Sequence, residues 1–294
     1  MATDTHAEIR PGTASPAKLA DVLRVAARLG LEQLDAQWLL LHALGKPPTE
    51  RAWLAAHAGD AVAPEQASAA AQAQALFTRR AAGEPLAYLV GQQAFYGLDL
   101  QVDRRVLIPR ADTEVLVQWA LDLLPALGVQ PRVLDLGTGS GAVALAVQKN
   151  CPQAQVTALD ASVDALAVAQ ANAARLDLPV TLLRGDWLAE VGSKFELILA
   201  NPPYIASGDA HLAALAHEPM QALVAGADGL ADLRQITAQA PHCLSAGGWL
   251  LLEHGFEQAA AVSALLVQHG FTQVQSRCDL AGHGRCSGGQ WPGL

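Results

Sequence analysis

Asn201-Pro202-Pro203-Tyr204 directly follows the apolar run Phe195-Glu196-Leu197-Ile198-Leu199-Ala200. Neither proline has an N–H to donate, so a strand ladder must end here, and the chain is held stiff just past the strand's carboxyl end. In an open α/β sheet, ligands bind at that end of the strands. Asn201 offers an amide oxygen, the backbone carbonyls of Asn201 and Pro202 are released from ladder pairing, and Tyr204 offers a flat ring. Such a group suits a planar, nitrogen-bearing partner gripped by its N–H bonds and its π face. Asn201, Pro202, Pro203 and Tyr204 are therefore the candidate substrate-binding residues, and Asn201, Pro202 and Tyr204 the candidate catalytic ones. A plain Asn-Pro turn closing a strand is the alternative. The second proline, the tyrosine and a glycine loop upstream weigh against it.

That loop is Gly137-Thr138-Gly139-Ser140-Gly141, placed after the strand pattern Val133-Leu134-Asp135-Leu136 and before a helical one. Glycines let the backbone turn tightly and approach a ligand, and a helix start supplies free N–H groups. Nicotinamide, flavin and S-adenosylmethionine binders share this feature, so alone it is a weak signal. Asp160 ends the next strand pattern, 21 residues after Gly139, where a carboxylate can bind both ribose hydroxyls. A helix cap is its alternative role. The spacing G-x-G-x-G, rather than G-x-G-x-x-G, tilts the reading toward S-adenosylmethionine, whose adenosine carries no pyrophosphate. Asp186-Trp187 follows the third strand, where the aspartate can accept from an adenine amino group and the tryptophan can stack on its ring. A surface cap and a half-buried core Trp explain the same pair as well. The candidate cofactor residues are thus Gly137, Thr138, Gly139, Ser140, Gly141, Asp160, Asp186 and Trp187, together with Asn201.

These residues need a sheet to hold them. From about Pro109, strand patterns at 132–136, 155–160, 180–183, 195–200, 248–253 and 271–278 alternate with helical patterns near 141–149, 162–176, 228–244 and 256–269. Alternation of this kind implies a parallel sheet with helices on both faces. Upstream the period is helical. Residues 1–14 read as a loose tail, and Ser15-Pro16 as an N-cap with proline at the first helical position. Leu19, Val22, Leu23 and Ala26 then fall on one face before Gly30. Further helices are expected near 35–45, through Trp53 and Leu54, and from Pro64 to about Ala82, making a small bundle over 1–85. Between 86 and 108, Tyr88, Val90, Phe95, Tyr96, Leu98, Leu100 and Val102, punctuated by Gly91 and Gly97, read as a linking β-hairpin. The third segment, 109–294, carries the candidate chemistry. A length of 294 residues fits about two domains, and a hydrophobic share of 51% is ample for their cores.

The net charge of −9 is unevenly placed: residues 1–85 hold 8 Lys/Arg and 9 Asp/Glu, residues 86–294 hold 11 and 19. An acidic catalytic half disfavours a phosphate backbone, whose binding leans on Lys and Arg. Direct nucleic-acid contact is therefore not expected. Cys151, Cys243, Cys278 and Cys286 form no C-x-x-C pair, and the nine histidines form no H-x-H or H-x-x-x-H pair, so no metal site is expected. The polar stretch 1–16 lacks an apolar signal region, and no uncharged apolar run approaches the roughly 20 residues of a membrane helix. A soluble, cytoplasmic protein with reduced thiols, away from membranes, is the expectation.

With three sites assembled, the chain resembles the PrmC/HemK family of methyltransferases, which modify the glutamine of the GGQ motif in peptide-chain release factors. The resemblance runs through Gly83-Glu84-Pro85-Leu86-Ala87-Tyr88-Leu89, Phe95-Tyr96-Gly97-Leu98, Leu107-Ile108-Pro109-Arg110 and Asp112-Thr113-Glu114. It continues through the glycine loop, Gly185-Asp186-Trp187, Asn201-Pro202-Pro203-Tyr204-Ile205, Glu218-Pro219 and Asp228-Gly229-Leu230. It implies a Rossmann-like class I fold using S-adenosylmethionine, release factors as partners, and an N-terminal bundle that serves substrate recognition. The Asn-Pro-Pro-Tyr block alone is shared with enzymes that methylate amino groups of adenine or cytosine, which makes a DNA or RNA amino methyltransferase the nearest rival. A nicotinamide oxidoreductase accounts for the loop and Asp160 but leaves residues 201–204 unexplained. A non-catalytic binding module has no need of all these groups together. Two departures stand out. Ala111 stands where the family usually repeats proline, and Gly288-Gly289-Gln290 spells the substrate's own tripeptide, read here as coincidence within a final strand.

Overall fold

The computed structural model describes residues 18–293, and the chain divides after Val90 into two compact units. The expected tail and the Ser15-Pro16 helix start lie outside the described residues. The first unit is helical: α1 (Leu19–Arg28), α2 (Gln33–Ala43), α3 (Arg51–Ala56), α4 (Ala67–Ala81) and α5 (Leu86–Val90). Leu19, Val22 and Ala26 of α1 bury the face that their spacing forecasts, against Leu39, Leu40, Leu54 and Phe77. The segment containing Tyr88 and Val90 is helix, not the first arm of a hairpin. The Pro85 carbonyl accepts from the amides of Tyr88 and Leu89, and a short apolar run carries no period that separates strand from helix.

The second unit begins with the hairpin β1 (Gln92–Phe95) and β2 (Leu98–Gln101), paired antiparallel. Its turn places Tyr96 at φ 45° and Gly97 at φ 71°, the left-handed pair that matches strand twist. Phe95, Leu98 and Leu100 bury in the core of this unit. There follow α6 (Glu114–Leu123), β3 (Arg132–Leu136), α7 (Ala142–Asn150), β4 (Gln155–Asp160), α8 (Val163–Leu176), β5 (Thr181–Arg184) and β6 (Phe195–Ala200). Then come α9 (Ala231–Gln239), β7 (Leu244–Glu253), α10 (Ala259–Gln268), β8 (Thr272–Cys278) and β9 (Gly284–Gln290). Helix α6 has no counterpart among the helical patterns read from the sequence.

Seven strands form one sheet in the order β5-β4-β3-β6-β7-β9-β8. The sheet is not wholly parallel, because β9 runs antiparallel to both β7 and β8. Alternate residues of each central strand feed two cores. Val133, Leu197, Leu199 and Leu251 face the side covered by α6 and α7, while Leu134, Leu136, Ile198, Leu250 and Leu252 face α9 and α10. Helices on both faces explain why these strands read as unbroken apolar runs. The tripeptide Gly288-Gly289-Gln290 is locked within β9. A Cβ on Gly288 would lie 2.9 Å from the Leu250 carbonyl oxygen, and the Gln290 amide donates to the Gly247 carbonyl at 2.9 Å.

Candidate active site

The chain builds β3, β4 and β5 outward to one edge, then returns to lay β6 on the other side of β3. This reversal opens a crevice at the carboxyl ends of β3 and β6, where ligands bind in such sheets. Leu136 pairs with Ala200, so the glycine loop and Asn201 leave adjacent strands at the same level. Leu136 also pairs with Leu159, and Asp160 with Arg184, which brings Asp160 and Gly185-Asp186 to the same rim. On the other flank Ala200 pairs with Leu252, placing Glu253 beside Asn201.

A cavity of about 630 Å³ occupies this rim, lined by Gly137, Gly139, Asp160, Asp186, Trp187, Asn201 and Pro203. Gly137, Gly139 and Gly141 adopt φ of 66°, 55° and 84°, a left-handed alternation that other residues enter only with strain. Thr138, Ser140 and Gly141 are buried and do not line the cavity. Thr138 donates its hydroxyl to Asp135 at 2.6 Å, and Ser140 accepts at its carbonyl from Asn172 at 3.0 Å. Asp160 accepts from the amides of Gly139 and Ser162, both at 2.9 Å, and so ties the loop to the start of α8. Burial raises its carboxyl above the usual range. Trp187 donates its indole N–H to Asp232 at 3.1 Å, and its ring lies against Gly137, where a Cβ would meet it at 3.2 Å.

Asp135, at the end of β3, is fully buried and accepts also from the amide of Ala144 at 3.2 Å. Burial pushes its carboxyl up to about 7. In the unfolded chain the same group titrates near ~4. Between those values the folded protein holds a proton that the unfolded chain has lost, so stability falls as pH rises through that window. Asp135→Asn should flatten this dependence. Thermal melts of both proteins at about pH 5 and about pH 8 check it, and equal slopes exclude Asp135 as the source.

The bend after β6 is pinned from several sides. Asn201 donates its Nδ2 to the Thr113 hydroxyl at 3.2 Å, which leaves Oδ1 as its free acceptor. Pro202 is buried and does not line the cavity. Tyr204 stands beside it rather than on its wall, with its hydroxyl 3.4 Å from Oε1 of Glu253 and its phenol pushed up by burial. The Tyr204 carbonyl accepts from Nε2 of Gln258 at 3.1 Å. Buried Glu218 accepts from the Ile108 amide at 3.1 Å and pairs with Arg110, so the Leu107–Arg110 block is fixed to the loop beyond the bend. Gly229, at φ 73°, leaves no room for a side chain: a Cβ there would overlap the Tyr204 carbonyl and lie 2.8 Å from Nε2 of Gln258. Gly229→Ala should therefore cost about 1–3 kcal/mol of stability and lower turnover by displacing the bend. Urea denaturation and initial rates check this; an unchanged midpoint and rate would show that the Tyr204 carbonyl is free to move.

Sequence reasoning gave Glu253 and Gln258 no role, and named Thr113 and Glu218 only within the motifs of the resemblance. A lone acid closing an apolar strand, as Glu253 does after Leu252, was the readable signal for one of them.

The comparisons with known proteins agree with this geometry. The methyltransferase small domain family matches residues 113–273, and the PrmC N-terminal domain family matches residues 18–91. A release factor glutamine methyltransferase of Bordetella pertussis is 50% identical over 264 residues, covering 88% of this chain and 95% of the relative. One from Burkholderia pseudomallei is 47% identical, covering 95% and 98%. In fold alone, a methyltransferase crystal structure from Pyrococcus furiosus superposes with a TM-score of 0.51 at 20% identity, over 75% of this chain and 98% of that one. A Rossmann-like methyltransferase sheet, a PrmC N-terminal domain and near-full-length relatives at this identity lead to one assignment: the chain belongs to the family of release factor glutamine methyltransferases.

Proposed function

We propose that this protein transfers the methyl group of S-adenosylmethionine to the side-chain amide nitrogen of the glutamine in the GGQ motif of peptide-chain release factors. One observation carries the reading. Asn201 leaves β6 beside the glycine loop of β3, with its NH₂ held by Thr113 and its oxygen left to accept. Translation termination takes place in the cytoplasm, which is the compartment this reading requires. The helical unit is assigned to recognition of the release factor.

The residues of the crevice fit such a cofactor. A cavity of about 630 Å³ is in the range of small-ligand sites. Gly137 and Gly139 expose backbone to it, Asp160 presents a carboxylate suited to ribose hydroxyls, and exposed Asp186 with the Trp187 ring suits an adenine. When bound, S-adenosylmethionine supplies an electrophilic methyl group on a cationic sulfur.

An amide nitrogen is a poor nucleophile because its lone pair is shared with the carbonyl. The chain can offset this by accepting both N–H bonds, one at Oδ1 of Asn201 and one at the Pro202 carbonyl. That fixes the nitrogen's direction and favours the positive charge that grows on it. The Tyr204 ring is assigned to the flat amide face, where a developing cation gains further. No general base is required, since the methylated nitrogen is strongly acidic and can release its proton to water.

The test is incubation with isotopically labelled cofactor and either a release factor or RNA and DNA, followed by peptide mapping. Label on the GGQ glutamine supports the reading. Label on nucleic acid alone would transfer the assignment to an amino methyltransferase of bases.

A further inference from the structure

After the Asn-Pro-Pro-Tyr bend the chain makes a long excursion over residues 205–228 before it enters α9. One side chain spans both ends of it. Gln258 accepts at Oε1 from the Gly255 amide at 2.8 Å, and its Nε2 donates to the carbonyls of Tyr204 at 3.1 Å and Gly229 at 3.3 Å. A backbone N–H can only donate and a carbonyl can only accept. The orientation of the Gln258 amide is therefore forced, and both of its N–H bonds are spent. The side chain also stands on a fixed base. Gln258 occupies the N-cap position of α10, where its backbone amide donates to the Gly255 carbonyl at 2.9 Å and its carbonyl accepts from the Val262 amide at 2.9 Å.

We propose that Gln258 is a positioning residue for methyl transfer: by holding the Tyr204 and Gly229 carbonyls on one amide, it fixes the bend against which the substrate amide lies. This rests on the glutamine methylation proposed above and adds to it a residue that need not touch substrate. Two features carry it. Beyond Tyr204 the excursion is tied to itself, with the Ile205 amide donating to the Leu223 carbonyl at 2.9 Å and the Ala225 amide to the Ile205 carbonyl at 3.0 Å. At the Tyr204 carbonyl, among the described residues, the donor is Gln258. The second feature is the stiffness of the bend. Two prolines with locked φ stand between Asn201 and Tyr204, so a turn of the Tyr204 peptide is passed back to the Pro202 carbonyl and Asn201 instead of being absorbed. The glycine loop and Asp160 follow β3 and β4, which are held by their own ladder, so the cofactor half of the site does not depend on this contact.

The experiment measures methylation of a GGQ-bearing release-factor domain by the full-length protein and by Gln258→Met and Gln258→Glu, with cofactor affinity by calorimetry and a thermal melt of each. Methionine keeps the length of the side chain and removes every bond. An ionised glutamate keeps an acceptor for the Gly255 amide and removes both donations, so it isolates the hold on the two carbonyls. Both variants should lower kcat roughly 10-fold while cofactor affinity changes less than about twofold. A purely structural role would lower the melting temperature and leave the kcat of the folded protein unchanged. Full kcat in either folded variant, or an equal loss of cofactor affinity, overturns the proposal. Loss of a cooperative melt in both variants overturns it too, by assigning Gln258 to folding. A wild-type protein that leaves the glutamine unmodified defeats the underlying reading instead, and the two failures are told apart by that control.

Discussion

Replacing Asn201 with alanine is expected to lower turnover by about 10²-fold or more while cofactor affinity survives in large part, judged by the loss of one preorganised partner in other enzymes. The argument is one of direction. Asn201 is half-buried at the crevice wall, its NH₂ already spent on Thr113, so the oxygen is the part of the side chain left for a ligand. Alanine removes that acceptor and leaves the β6 backbone, set by its pairing with β3 and β7, in place. Single-turnover rates at saturating cofactor, beside calorimetric binding, separate the two effects. Equal losses in rate and cofactor affinity would reduce Asn201 to a wall of the pocket.

For Asp160→Ala the expectation reverses, with cofactor binding weakened on the order of 10²-fold and the rate at saturation lowered far less. Asp160 has two tasks on one carboxylate. It holds the amides of Gly139 and Ser162, and it is assigned the ribose hydroxyls. Alanine cancels both, and the freed glycine loop loses the tether that fixes its shape. Asp160→Asn keeps one acceptor oxygen and should recover part of the affinity. Unchanged affinity in the alanine variant would remove Asp160 from the cofactor site.

The parts of this site that were legible in the sequence are those where chemistry is local. Two prolines after Ala200 and three alternate glycines after Leu136 dictate backbone shape on their own, and the strands they terminate match their expected bounds at β3 and β6. Helix α6 was not legible. Leu116, Val117, Trp119 and Ala120 are all buried, so the polar face that reveals a helical period is narrow. The supporting residues were hidden for another reason. Thr113 meets Asn201 across 88 positions of sequence, and Gln258 meets Tyr204 across 54. Only the strand order makes them neighbours, and no periodicity records it. A final strand over Gly288-Gly289-Gln290 was legible, but its antiparallel place between β7 and β8 was not, since only the strand order sets it.

Hanging the glycine loop and the Asn-Pro bend from neighbouring strands has a geometric consequence. Adjacent strands stand about 4.8 Å apart, so the separation of the two half-sites is a constant of the sheet, indifferent to how long or mobile the intervening chain is. It is also all-or-nothing. A slip of β6 by one residue against β3 would turn every side chain of that strand to the opposite layer, driving the asparagine's neighbours out of their cores. The two cores on either side of the sheet thus act as a ruler with a single mark, and alignment of the reactants is inherited from folding itself.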